Sequence, residues 1–265
     1  MTSIRVVVSG TGKMGREVLA AVCREPDLEP VGVLSRSAGE EYLSLPDGSG
    51  LVPFGHEPAA LLARTRPDVV VDFTNAERTP TVAREALEAG ACLVIGTSGL
   101  SDAFLKELDR DCLQRKLAAV VCPNFAIGAV IMVHLARIAS RFFDYAEVIE
   151  MHHEGKADAP SGTAIATARA MADGRNQPFL RASTAKETLP GTRGGSLDGI
   201  TIHSVRLPGL VAHQQVMLGG PGQTLTIRHD SISRESFMPG VVMAIRHVKE
   251  AEGLVLGLER LIGLE

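Results

Sequence analysis

No run of this sequence is long and apolar enough to cross a membrane. The longest apolar stretches, such as Ala118-Ala119-Val120-Val121, fall far short of the roughly twenty residues a spanning helix needs. Excess positive charge is also missing. Lys and Arg number 27 against 31 Asp and Glu, a formal charge of -4, which argues against a nucleic-acid binder. The four cysteines, Cys23, Cys92, Cys112 and Cys122, share no CxxC or metal-finger spacing, and Cys92 and Cys122 fall in apolar runs where a free thiol behaves as a small hydrophobe. No charged-then-apolar leader is read at the start, because Ile4-Arg5-Val6-Val7-Val8 has the look of a strand. Tryptophan is absent too, and that decides nothing about function. A reduced, cytoplasmic protein of enzyme size is expected, with length for one large domain or two modest ones.

What is present is a rhythm. Short apolar runs at 4–8, 31–34, 69–72, 92–95 and 118–121 show little alternation, as strands buried on both faces do. Helical patterns lie between them. Met14, Val18 and Val22 recur at i, i+4 before Pro26, and 80–89 and 101–117 follow, the last with Ser101 as its cap. This β-α-β-α order predicts a parallel sheet with right-handed crossovers. From about Asn124 the texture changes. Helices are expected over 127–143 and 163–172, then a Gly/Pro/Thr-rich segment at 189–199, then strands at 200–207, 213–218 and 223–228 that alternate as an antiparallel sheet does. The tail, 237–262, reads as helical. The fold expected is therefore α/β: a Rossmann-type parallel sheet domain, 1–125, completed by a C-terminal helix at about 238–265, plus a second α+β domain with a mixed or antiparallel open sheet at 126–237.

Directly after the first strand stands Ser9-Gly10-Thr11-Gly12-Lys13-Met14-Gly15, with a helix behind it. Gly10, Gly12 and Gly15 fit G-x-G-x-x-G in the required context: a tight turn, close approach of backbone N–H groups to a pyrophosphate, and close helix–sheet packing. Thr11, Lys13 and Met14 belong to the same phosphate loop. The second strand should end near a ribose selector, and there the sequence has Leu34-Ser35-Arg36-Ser37. An acid at that point would repel a 2′-phosphate, whereas Ser35 and Arg36 welcome one. NADPH is favoured, with NADH use not excluded. Two further strand ends, Gly96-Thr97-Ser98-Gly99 and Cys122-Pro123-Asn124-Phe125, share that carboxyl edge and are placed to flank ribose and nicotinamide.

The densest chemistry lies in EVIEMHHEGKADAPSGTA, residues 147–164. Asp158-Ala159-Pro160-Ser161-Gly162-Thr163 opens a helix, with Ser161 or Thr163 as cap. Free N–H groups at a helix start, with Lys156 as a nearby point charge, make an anion site. His152 and His153 add proton donors near neutral pH. A metal is a minor alternative: adjacent residues on an extended segment point to opposite sides, and a third ligand is not evident.

The run Glu147-Val148-x-Glu150-x-His152-x-x-x-Lys156-x-Asp158-x-Pro160-Ser161-Gly162-Thr163-Ala164 resembles the signature of the 4-hydroxy-tetrahydrodipicolinate reductase (dihydrodipicolinate reductase) family. The resemblance covers essentially the whole chain, including the glycine loop, Gly96-Thr97-Ser98-Gly99, Pro123-Asn124-Phe125, the segment 206–213 and Gly222-Gln223 through Phe237. It implies NAD(P)H-dependent reduction of a cyclic imine dicarboxylate in the diaminopimelate route to lysine, with hydride reaching ring C4. It also implies His152 as the acid/base residue, Lys156 as second proton donor, and substrate binding by His153 and the Gly162-Thr163 backbone, helped by Ser161. A homotetramer built on the second domain's sheet is a further implication. The chain departs from the family pattern in a glycine loop one residue shorter and in Ser35, where some members carry an acid. Another two-domain dehydrogenase, or a non-catalytic NADPH sensor, has no evident use for the groups from Lys156 to Ala164. Arg234, Phe237, His203, His213 and His229 are read as structural.

Overall fold

The buried strands and their helices take up the expected alternation in a computed structural model, which describes residues 3–264. The outermost residues of the first expected domain, 1, 2 and 265, lie outside the described residues. In chain order the elements begin β1 (Ile4–Ser9), α1 (Lys13–Arg24), β2 (Leu28–Leu34), β3 (Tyr42–Ser44), β4 (Leu51–Gly55), α2 (Pro58–Thr65), β5 (Val69–Asp72), α3 (Thr79–Glu88), β6 (Cys92–Ile95), α4 (Asp102–Arg115) and β7 (Ala118–Val121). There follow α5 (Ile127–Ala139), β8 (Tyr145–His152), α6 (Gly162–Asp173), β9 (Gly195–Leu197), β10 (Ile200–Arg206), β11 (Ala212–Gly220) and β12 (Gln223–Ser231). The last elements are α7 (Met238–Val248) and β13 (Gly253–Leu256). Two units result. One runs to Phe125 and resumes at Phe237; the other holds Ala126–Ser236.

In the first unit the strand order is β13-β7-β6-β5-β1-β2-β4-β3, parallel except for β3, which runs antiparallel to β4. Every residue of β5, β6 and β7 is buried, which is why those runs lack alternation. Helix α1 turns Gly15, Val18, Leu19, Ala21 and Val22 inward, a 3.6-residue stripe. At 25 cal/mol per Å² of apolar surface, each such Val or Leu contributes about 1.5–3 kcal/mol. The chain passes from β1 to β2 on one side and later returns to β5 on the other, so the loops after β1 and β5 open at a topological switch point.

The tail is not one helix. Helix α7 ends at Val248, and Gly253, at φ 73, starts β13, which pairs in parallel with β7. A left-handed glycine ends helical backbone, and the apolar Gly253-Leu254-Val255-Leu256 satisfies an open sheet edge instead. Arg246 on α7 holds Glu25 and Asp27 at 2.6 and 2.7 Å, and Lys249 holds Asp68 at 2.9 Å, tying α7 to α1 and β5 within the unit.

The second unit is a five-stranded sheet, β12-β11-β8-β10-β9. It is mixed, since β10 runs parallel to β8 while the other pairs are antiparallel. The crossover between β8 and β10 carries α6, as a parallel pair requires. Ala136 of α5 and Ala164, Ala168 and Met171 of α6 pack on Ala146, Val148, Ile200, Ile202, Val216 and Leu218 of the sheet.

Candidate active site

The glycine loop leaves β1 at Gly10, whose φ of 111 only glycine adopts readily. A Cβ on Gly15 would lie 2.0 Å from the Gly10 carbonyl oxygen, so α1 can start only this close to the turn because Gly15 has none. A Cβ on Gly12 would meet nothing within 4 Å. The protein's own packing therefore makes no demand for glycine there, and the space is open to a ligand approaching the backbone. Thr11, Lys13 and Met14 complete this loop, with Lys13 exposed. At the end of β2 the Ser35 hydroxyl lies 2.7 Å from that of Thr11 and 3.0 Å from that of Ser37. Arg36 is exposed beside them and reaches Glu77 at only 3.5 Å, a weak solvent-screened tie. No carboxylate occupies the selector position. These loops fit a dinucleotide.

The other two loops sit at the same carboxyl edge, after β6 and β7. Thr97 is buried and Ser98 exposed. A Cβ on Gly96 would come within 2.1 Å of the Phe73 ring, so Phe73 dictates that glycine. Phe73 in turn lies 5.5 Å from the buried Phe125, centroid to centroid, within the range of favourable aromatic pairs. Pro123 is exposed and Asn124 half-buried, while the Cys122 side chain is wholly buried and its thiol is pushed up to about 12 by burial. Of that loop, Pro123 and Asn124 are the residues a ligand could reach, not the Cys122 sulfur. Beneath these loops, the buried Asp72 accepts hydrogen bonds from Thr79 (2.6 Å), Thr74 (2.9 Å) and Thr97 (3.2 Å). Sequence reasoning missed Phe73 and Asp72. The signal was an acid closing an otherwise all-valine strand.

In the second unit, β8 ends in His152, and Ser161 caps α6 by accepting from the Ala164 amide at 3.2 Å. Gly162 and Thr163 follow as the first helical residues, and their amides are left over by that cap. Lys156, half-buried, pairs with Asp158 at 2.7 Å, a contact that holds the Asp158 carboxyl below its ordinary range. His153 is exposed. His152 points elsewhere: its Nδ1 lies 2.6 Å from Glu150 Oε2. Glu150 has no exposed surface, and Arg206 donates to both of its oxygens, at 2.8 and 2.9 Å. Burial alone would raise the Glu150 carboxyl, but bonds from Arg206, Ser204 and His152 hold it below the usual value. For His152 burial dominates and lowers the imidazole below 6.5, against the pull of Glu150 and with the push of Lys156 and Arg206. Glu150 and Arg206 stand in the segments that carry the family resemblance, but the resemblance assigns them no role in the site, although Glu150 shares a strand face with His152 by its i, i+2 spacing.

Of the histidines read as structural, His203 meets Glu147 at 2.9 Å and His213 meets Asp230 at 2.7 Å. Among the described residues no group of three or more His, Cys, Asp or Glu could hold a metal ion, and no helix is long and apolar enough to cross a membrane.

A family model described as dihydrodipicolinate reductase, N-terminus, matches residues 4–125, and one described as dihydrodipicolinate reductase, C-terminus, matches 128–262. A 4-hydroxy-tetrahydrodipicolinate reductase of Dehalococcoides mccartyi is 50% identical over all of both chains. One from Moorella thermoacetica is 47% identical over 99% of each. The dipicolinate-bound dihydrodipicolinate reductase of Paenisporosarcina sp. TG-14 superposes with a TM-score of 0.87 at 43% identity, covering 98% of this chain and 99% of that one.

Proposed function

The chain belongs to the dihydrodipicolinate reductase family, and from that membership we propose that it reduces 4-hydroxy-tetrahydrodipicolinate to tetrahydrodipicolinate in the diaminopimelate route to lysine. The observation that carries this reading is the cluster at the end of β8: an imidazole, an ammonium and a capped helix start within one short segment. A dicarboxylate needs N–H donors and positive charge, and reduction of a conjugated imine needs a proton to be moved. The helix-start amides of Gly162 and Thr163, with Ser161 and His153, bind the substrate's carboxylates. Lys156 stabilises negative charge that develops on the ring system and donates a proton. His152 is the acid/base group.

A reduced nicotinamide dinucleotide, when bound, supplies the hydride. Gly10, Thr11, Gly12, Lys13, Met14 and Gly15 would hold its pyrophosphate, and Gly96, Thr97, Ser98 and the segment Cys122 to Phe125 its ribose and nicotinamide. The hydroxyls of Thr11, Ser35 and Ser37 beside Arg36 support a preference for NADPH, because they can receive a 2′-phosphate and present no carboxylate to repel it. A homotetramer assembled on the five-stranded sheet is in keeping with β12, most of whose residues are exposed.

The experiment is oxidation of NADPH and of NADH by the purified protein, supplied with the freshly made condensation product of pyruvate and aspartate semialdehyde. Oxidation of NADPH with the higher kcat/KM is expected. If neither cofactor is consumed the activity is wrong, whereas a strong NADH preference removes only the role of Ser35 and Arg36.

A further inference from the structure

We propose that Glu150, clamped by Arg206, is a positioning residue that holds His152 in the tautomer protonated on Nδ1, so that Nε2 meets the substrate as a proton acceptor. This deepens the reductase reading and rests on it. The bonding around Glu150 leaves little freedom. Its Oε1 accepts from Arg206 Nη2 at 2.8 Å and from the Ser161 amide at 3.2 Å, and its Oε2 accepts from Arg206 Nη1 at 2.9 Å. Each of these partners can only donate. A buried carboxyl that accepts three such bonds, two of them from one bidentate guanidinium, is an ionised acceptor. An ionised carboxylate has no proton to offer, so the 2.6 Å contact to His152 requires the hydrogen to sit on Nδ1. In the neutral ring Nε2 is then a bare lone pair.

The clamp is built by register. On the parallel pair, Ser204 stands opposite Glu150 and Arg206 opposite His152. Arg206 Nη2 also donates to the Asp158 carbonyl at 2.6 Å, which ties the loop bearing Lys156 to the same guanidinium. The charged groups around the ring are thus Glu150 from β8, Arg206 from β10, and Lys156 and Asp158 from the loop, while β11 presents the uncharged Ala212 opposite it.

The chemistry follows from the tautomer. The substrate must lose water before its double bonds are conjugated. Nε2 takes the proton from the ring carbon between the imine carbon and the hydroxyl-bearing carbon. The electron pair of that C–H bond forms the new C=C bond as the C–O bond breaks, and the leaving hydroxyl departs as water with a proton from the Lys156 ammonium. His152 is left protonated and Lys156 neutral, so the proton lost by carbon and the proton gained by oxygen balance. His152 and Lys156 therefore have opposite duties in this step.

The test begins with 15N-histidine-labelled wild type at pH 7.5, His152 being assigned as the signal lost in His152→Gln. An Nδ1–H ring with an unprotonated Nε2 is expected, and an Nε2–H ring would overturn the proposal. Glu150→Gln, whose amide can donate to Nδ1, should admit the opposite tautomer and lower kcat by about 10²–10⁴-fold with the NADPH dissociation constant unchanged. In the wild type, kcat should fall on the acid side as the ring is protonated, and in Glu150→Gln this limb should move to lower pH, because the carboxylate that favours the imidazolium is gone. Undiminished kcat in a folded Glu150→Gln variant would also overturn it, and should that variant not fold, the wild-type spectrum still decides. Failure of the wild type to consume NADPH with the cyclic imine would remove the reductase reading, and leave the tautomer measurement standing.

Discussion

At the scale of single residues, the site works by giving like groups unlike surroundings. Burial lowers the His152 imidazole below its ordinary value, while Glu150, more buried still, is held below the usual carboxylate value because Arg206 supplies two donors. His152→Ala is expected to lower kcat by about 10²–10⁴-fold, the usual worth of a positioned acid/base group, while NADPH binding by fluorescence titration is unaltered; near-normal turnover would take His152 out of the mechanism. The residues that carry chemistry by type were legible in the sequence: two histidines, a lysine and a Pro-Ser-Gly-Thr helix start crowd eighteen positions. Glu150, Asp72 and Arg206 were not, because an acid or a guanidinium on a strand reads the same whether it faces water or closes a buried network. Only the cross-strand register, which sets Arg206 beside His152, separates the two cases.

At the scale of elements, helix caps allow a comparison between structure and binding. Ser101 caps α4 by accepting from the Phe104 amide at 3.2 Å, as Ser161 caps α6 from Ala164. Each Ser→Ala change is expected to cost about 1 kcal/mol of stability, measured by thermal melting. Only Ser161→Ala is expected also to raise KM for the imine, through the carboxylate binding proposed for the first amides of α6; an unchanged KM would separate α6 from binding. Runs such as 69–72 and 92–95 announced themselves because burial on both faces leaves an unbroken apolar signature. The pieces that escaped were short or depended on distant partners. Strand β3 has three residues, and α2 and β4 follow it closely. Strand β13 takes its identity from pairing with β7, far upstream, so a helical tail was the natural local reading.

At the scale of the whole molecule, acid should be the sensitive direction. His152 and His229 have folded-state values below 6.5, both chiefly through burial. The folded state therefore binds fewer protons there than the unfolded chain does, and stability is lost as pH falls below 6.5. Glu147 and Glu150, both depressed from 4.5 as their partners outweigh burial, contribute stability that is complete above 4.5 and lost as pH falls through their folded-state values. Urea midpoints measured from pH 7.5 down to pH 3 should decline in two stages in that order; a midpoint that rises on acidification would contradict both. The position of β13 has a consequence in time. The ribosome delivers β7 well before β13, with the whole Ala126–Ser236 unit made in between. Until Gly253–Leu256 emerges, the nascent parallel sheet carries a bare apolar border at Ala118–Val121, a ready template for a neighbouring chain. A chain released short of Gly253 would keep that border, which makes termination between Ser236 and Gly253 a route to aggregation even with the whole Ala126–Ser236 unit already synthesised.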